Sequence, residues 1–458
     1  MSERSLCVRF VEPMRRLRAL PIGVLLLIGG GLSAEELGGR TVGWAPRVPA
    51  AKNLAPVGGL LVNERPGRPW RIAAEGATLS SRDLLLALPG MAARLETAPR
   101  AVELTLWGNL PDLSDFSGLQ SAVILHDSRA FDLDFTLHRG RVLVTNRKTA
   151  GPARVWLRIE GAAFQLTLAE PGAAVCIGLY GFWPHGAHFN LSPSADEVPI
   201  RRLTFLAVKG EVDVKDSGTQ HSLSAPPGRA YFHWDSVNGP DEGTRYRRQV
   251  DAWADATPKA SPQAKALFEV VEKYRAALKN KEPHTVLFDL LEAAAKERES
   301  ARAKALAEFA VLGLAAVNDI DRVVQALDDP RQAEARKAAV LALRHWIGDA
   351  AGRDRRLYQY LVERSNFSKV QSATVLQLLH GGLAADDPET YETLLSYLRH
   401  EKLAIRELAW RQLLRLVPED LVVPFDPAAS AADRAKAYAA WKEVIPSGSL
   451  PVRKPKKK

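Results

Sequence analysis

The stretches ARKAAVLALRHW (335–346), VQSATVLQLLHG (370–381) and IRELAWRQLLRL (405–416) write one helical face three times, at a constant spacing of 35 residues. A fourth copy, ARAKALAEFAVL, begins 34 residues earlier at Ala301. This periodicity constrains the fold more than any other feature, because a unit of one or two helices cannot bury its apolar face alone and must stack on the next copy. The period predicts a row of paired helices across 245–445. Such rows present surfaces and seldom house chemistry, so the reading tilts toward binding.

Each repeated helix is preceded by a second helical pattern, at 285–293, 321–327, 356–364 and 390–399. Asp329-Pro330, Gly381-Gly382 and Asp387-Pro388 break the runs, proline for want of an amide donor and glycine as a helix exit. Ala339, Ala373 and Ala409 are small where stacked helices must approach.

Between 70 and 240 the period falls to two. Phe131 to His138 alternate apolar and polar without a fault, as a half-buried strand requires, and VELTLW (102–107), RVWLRI (154–159), FQLTL (164–168) and EVDVK (211–215) repeat the pattern. Glycine and proline punctuate these runs. The expected fold is therefore multidomain, α and β: an N-terminal all-β sandwich or roll of short strands, then a C-terminal α-helical solenoid. The turn-rich SVNGPDEGTR (236–245) marks the change of grammar, whereas 35–69 shows no sustained period and reads as a linker.

The ends account for the charge. The chain of 458 residues carries a formal +9, but five Arg against two acidic residues in 1–34 and five cations in 453–458 leave a body near +1. A basic groove for specific nucleic-acid binding is not implied. Residues 1–34 have the layout of a secretory signal: Arg15, Arg16 and Arg18, the apolar LPIGVLLLIGGGL, then Ser33-Ala34. That core runs about 13 residues, short of the roughly 20 that span a bilayer, so export with cleavage near Ala34 is expected over a retained anchor. Only Cys7 and Cys176 exist, and Cys176 reads as a small buried hydrophobe. The tail 446–458 reads as disordered, with Lys454, Lys456, Lys457 and Lys458 suited to weak contact with anionic polymers.

The chemistry-bearing residues are few. His185 and His188 are the best metal pair, but nothing places a third ligand, and a turn is the preferred reading. Asp132 and Asp134 share one strand face, read as its solvated side. His233-Trp234-Asp235 suggests a dyad or an exposed indole, although a strand end with a core tryptophan accounts for it. No nucleophile elbow, HExxH, Walker loop or dinucleotide fingerprint occurs. No catalytic, cofactor or metal residue is assigned.

Two resemblances follow from these motifs. In the second helices, Ala335-Arg336-Lys337-Ala338-Ala339 and Ile405-Arg406-Glu407-Leu408-Ala409 resemble the HEAT-repeat pattern, with Val370-Gln371 departing by lacking the Arg. The β half resembles a FecR-like extracytoplasmic domain in SSRDLLLALPGMAARLE (80–96), similar to that family's opening strand pair. Further cues are the "G-x-V-x-V" segments at Gly140 and Gly210 and the closing LSAPPGRAYF (223–232). The pairing is similar to that in secreted proteins of planctomycete-type bacteria. It implies a periplasmic or envelope protein that transmits signals through protein contacts.

The expected architecture is thus a signal peptide (1–34), a linker (35–69), a FecR-like β domain (70–240), a HEAT-like helical domain (245–445) and a basic tail (446–458). The expected function is that of an exported, non-enzymatic adaptor. The rival is a carbohydrate-binding or carbohydrate-active protein using Trp107, Trp156, Trp183 and Trp234, for which two or more indoles exposed in one concavity would speak. On the repeated helices, the positions left over from the apolar stripe include Arg336, Arg344, Arg406 and Arg411. They are expected to form an exposed ridge for an acidic protein partner.

Overall fold

The computed structural model describes residues 48–452, apart from 56–57, 66–67, 98–100, 112–113, 115, 217 and 256–261. The segment expected as a signal peptide, the first part of the expected linker and the four tail lysines lie outside the described residues. The described residues belong to one compact unit. Strands occupy its N-terminal half and ten helices its C-terminal half, so the protein is mixed α and β. No helix among the described residues is long and apolar enough to cross a membrane.

The strands form two hydrogen-bonded layers that share one long member, Leu133–Asn146. Its first part pairs with Ser121–His126 and, in parallel, with Ala153–Ile159; its second part pairs with Val102–Trp107 and Ala174–Phe182. Gly140 sits at the switch with φ of 95°, and a Cβ there would overlap the backbone of Gln120 and Ser121. The "G-x-V-x-V" at Gly140 is therefore a crossing within one strand, whereas Gly210 does turn one strand into the next. Both layers contribute to a single apolar core, including Leu95, Leu104 and Val142 from one and Leu85, Phe135 and Phe164 from the other. Leu84–Ala87 and Ala92–Thr97, expected as a strand pair, are both strands but join different layers.

Part of the expected linker also belongs to these layers. Pro49–Asn53 pairs with Thr78–Ser80 and Ala92–Thr97, and Leu61–Asn63 with Leu84–Ala87. These strands are too short to show a period, and a buried side chain fixes the first of them. Asn53 donates from Nδ2 to the carbonyls of Ala73 (3.1 Å) and Ala74 (2.9 Å). The strands also continue past Pro240 to Arg245–Arg247.

The helices are α1 (Pro262–Ala277), α2 (Pro283–Ala294), α3 (Ser300–Ala316), α4 (Ile320–Leu327), α5 (Ala333–Gly348), α6 (Arg353–Arg364), α7 (Lys369–His380), α8 (Pro388–Tyr397), α9 (Leu403–Leu416) and α10 (Ala431–Val444). All four repeated stretches and their four preceding patterns are helical. Contacts run from α3 to α5, α5 to α7 and α7 to α9, with α2, α4, α6 and α8 packed alongside. Local signals set the ends. Ser368 and Gln371 form a reciprocal capping box on α7, Asp387 caps α8, and Gly381 ends α7 with φ of 71°. Ala409 is fully enclosed, as close stacking demands.

The strand and helix halves share a core. Leu61, Leu86, Leu88, Met91 and Leu110 of the strands belong to the same apolar cluster as Leu267, Leu287, Phe309 and Leu343 of the helices. At Gly181 and Gly348 the two backbones meet, and a Cβ on Gly348 would stand 2.7 Å from the Gly181 carbonyl oxygen. The loop 183–189 lies over α6 and α7: Trp183 stacks on His380 at 4.4 Å, and Phe189 on Tyr358 at 5.5 Å.

Candidate functional site: an arginine-lined cleft between strands and helices

The four arginines expected on an exposed ridge do not form one. Arg336 is 2% exposed and Arg406 7% exposed. Arg336 donates from Nε to Glu407 (2.9 Å) and from Nη1 to the carbonyls of Asp329 (3.0 Å) and Pro330 (3.3 Å). Arg406 reaches the carbonyls of His400, Glu401 and Pro427 at 2.6–2.7 Å. The inter-helix turns leave carbonyls without helical partners, and a guanidinium at this repeat position satisfies them. Arg411 joins the same network through Glu407 (2.8 Å), whose enclosed carboxylate bridges α5 and α9. Arg344 is half-buried elsewhere on α5 and makes no hydrogen bond or ion pair.

The other sequence candidates also take structural parts. His188 Nδ1 meets Gln377 Nε2 at 2.6 Å while Gln377 Oε1 accepts from the Phe189 amide, so this pair fastens the 183–189 loop to α7. Among the described residues no group of three metal-ligating side chains occurs. Asp134 is not on a solvated face: it is buried and held by both Nε and Nη2 of Arg158, at 2.9 and 2.8 Å. Asp235 accepts from the amides of Val237 and Asn238 in a turn, and the acid nearest His233 is Asp241. Cys176 is buried, its thiol pushed up to about 12 by desolvation.

The four tryptophans do not gather in one concavity. Trp107 is buried beneath Arg141, Trp156 lies tilted against Phe131, Trp234 meets Phe164 edge-on, and Trp183 donates to the Ile347 carbonyl inside the strand–helix contact.

A cleft of about 940 Å³ opens where the halves meet, lined by residues 63–65, 68–70, 82, 84, 122, 124, 138, 139, 160 and 201 from the strand half and by 284, 317–321, 349, 350 and 353 from the helical half. Six arginines face it: Arg65, Arg68, Arg82, Arg139, Arg201 and Arg353. Its deep wall gathers three of them around one residue, Asp349. Asp349, at the end of α5, lies 3.4 Å from Arg139 and 3.1 Å from Arg353, while Arg201 donates to its backbone carbonyl at 3.2 Å. Arg201 also reaches Glu160 (2.9 Å) and the His138 carbonyl (2.6 Å), and Arg139 reaches the Ala316 carbonyl (3.3 Å). These bonds brace the arginines from both halves, yet the Arg139 Nε is enclosed without a partner.

Electrostatics follow from that crowding. Burial lowers the affinity of Arg353 for its proton, to about 10, with Asp349 opposing and Arg139 adding to the effect. His138, on the wall, is held down to about 4 by desolvation and then by Arg139, Arg201 and Arg353, so it is neutral at physiological pH. The deep wall thus sets three forked donors against two carboxylates, Asp349 and Glu160, while Glu64, Asp319 and Asp321 also line the cleft. Trp70 borders it, its Nε1 bonded to the Val317 carbonyl (3.2 Å). Among the described residues no serine, threonine, cysteine or lysine lines the cleft. Sequence reasoning missed these arginines because they lie far apart along the chain and follow no shared motif.

Comparison with models of protein families, with curated proteins and with solved structures finds no match to this chain.

Proposed function

We propose that the protein is an exported, non-enzymatic adaptor of the cell envelope that binds an acidic segment of a partner protein in the cleft between its strands and helices. In this reading the strands are a FecR-like sandwich and the helices a HEAT-like solenoid, and the rigid contact between them holds the recognition surface open. The observation that carries it is the convergence of Arg139, Arg201 and Arg353 on Asp349, the first and last on its carboxylate and Arg201 on its backbone carbonyl. Guanidinium forks suit carboxylates bidentately, and desolvated donors discriminate strongly against partners that cannot pair with them. The dispersal of the four tryptophans weighs against the carbohydrate reading.

The test is fluorescence anisotropy with a labelled heptaglutamate peptide. The wild-type chain is expected to bind it in a salt-sensitive manner, and Arg68→Glu with Arg353→Gln to weaken binding at least about tenfold, the loss of one to two charge-assisted contacts. Unchanged binding in that variant removes the cleft from the account.

A further inference from the structure

A second, smaller cavity of about 230 Å³ lies on the other side of α5, between the strand end Gly181–Trp183, the last turn of α5 and the C-terminal end of α7. Its charged and titratable lining consists of Arg344, Arg415, His345 and His380, with no carboxylate. Arg344 is the unusual member. Its Nε and Nη2 are enclosed by protein and have no hydrogen-bond partner, and no acid stands within ion-pairing distance. Arg415 donates from Nε to Gln412 (3.0 Å) and from Nη2 to the Gly381 carbonyl (2.7 Å), and it too pairs with no acid. Trp183 and Phe182 close the cavity on its apolar side.

A half-buried guanidinium with two of its three nitrogens desolvated and no counter-charge is unfavourable. The neighbourhood makes it worse: burial first, then Arg415 and Arg411, lower the proton affinity of Arg344, to about 10, which still leaves it cationic at neutral pH. Elsewhere in the repeats the chain solves this problem internally, giving Arg336 and Arg411 the carboxylate of Glu407. At Arg344 no carboxylate is supplied, while the cavity beside it has room for several waters at roughly 30 Å³ each.

We propose that this cavity is a binding site for a small phosphate-class oxyanion, anchored by Arg344 and supported by Arg415. The anion bridges the last turns of α5 and α7 and lies against the strand end at Trp183. It is either free inorganic phosphate or the phosphoryl group of a small phosphomonoester, and the two differ in whether the apolar rim leaves room for a substituent.

The experiment titrates the full chain with inorganic phosphate, and separately with glycerol phosphate, against sodium chloride of equal ionic strength, following thermal melting and heat of binding. Wild type is expected to show a saturable rise in melting temperature with phosphate. Arg344→Met should weaken that binding at least tenfold, whereas Lys337→Gln, an equal charge change at an exposed position of the same helix, should leave it intact. Response to glycerol phosphate with the same Arg344 dependence identifies the phosphomonoester as a competent source; response to phosphate alone identifies the free ion. If Arg344→Met does not fold, Arg415→Gln takes its place, with a several-fold loss expected. The proposal is overturned by the absence of a saturable rise in wild type, by equal loss in Lys337→Gln, or by unchanged affinity in the folded arginine variant.

Discussion

At the scale of single residues, the contrast between Arg336 and Arg344 shows how little residue type says about role. The two lie eight residues apart on α5, and both fall outside the apolar stripe. Arg336 is sealed against Glu407 and two turn carbonyls, and Arg344 is sealed against nothing that can pair with it. Hydrophobic periodicity identifies both as polar positions but does not say whether the neighbouring turn supplies acceptors. Glu407 is the hinge of the paired network, since it accepts from Arg336 and Arg411 together. Glu407→Ala strands two guanidiniums, one of them fully buried, and is expected to cost about 3–5 kcal/mol, read from denaturant midpoints. A loss under about 1 kcal/mol would mean that the turn carbonyls alone satisfy Arg336. The same accounting explains why the exposed ridge expected from the sequence is absent: Arg336, Arg406 and Arg411 are taken up by partners within the repeats.

At the scale of elements, the helices were legible and the strand layers only half so. Helix contacts repeat at a short period along the chain, so 335–346, 370–381 and 405–416 identify themselves. Alternation likewise marks Phe131–His138 as a strand, yet it cannot tell that the strand runs on through Gly140 from one layer to the other, because layer membership depends on distant partners. Three measurements address the packing of these elements. Ala409→Trp should overpack α9 and lower stability by roughly 1–3 kcal/mol; a wild-type melting curve would contradict its enclosed position. Gly348→Ala pits a helix-propensity gain of about 1 kcal/mol against a clash with the Gly181 carbonyl. Both partners there are backbone and cannot swing away, so net destabilisation is expected. His380, buried between Trp183 and Asp354, is held down to about 4 by burial and then by His188, against 6.5 in the unfolded chain. The unfolded state therefore takes up a proton first as pH falls, and the stabilisation present above pH 6.5 is lost on going down to pH 4, by up to about 3 kcal/mol. His380→Phe should flatten that part of the urea midpoint profile between pH 7 and 4.5; an unaltered slope would show that His380 protonates freely in the folded protein.

At the scale of the whole molecule, strands and helices share an apolar core, and at Gly181 and Gly348 their backbones touch. The change of period near Pro240 was plain in the sequence, but the contact across it was not, since the residues that make it, such as Met91 and Leu267, lie far apart and belong to patterns with different periods. A shared core predicts one cooperative transition in calorimetry, and two well-separated transitions would contradict it. The same contact creates the cleft, whose arginines come from segments with no common motif and converge only when both halves are in place. Recognition of an acidic segment there is the central claim, and hydrogen exchange with and without heptaglutamate tests it most directly. Protection is expected at 68–72, 138–140, 316–321 and 346–353 together, on both walls of the cleft; protection confined to the repeated helix 405–416, or none at all, would contradict the claim.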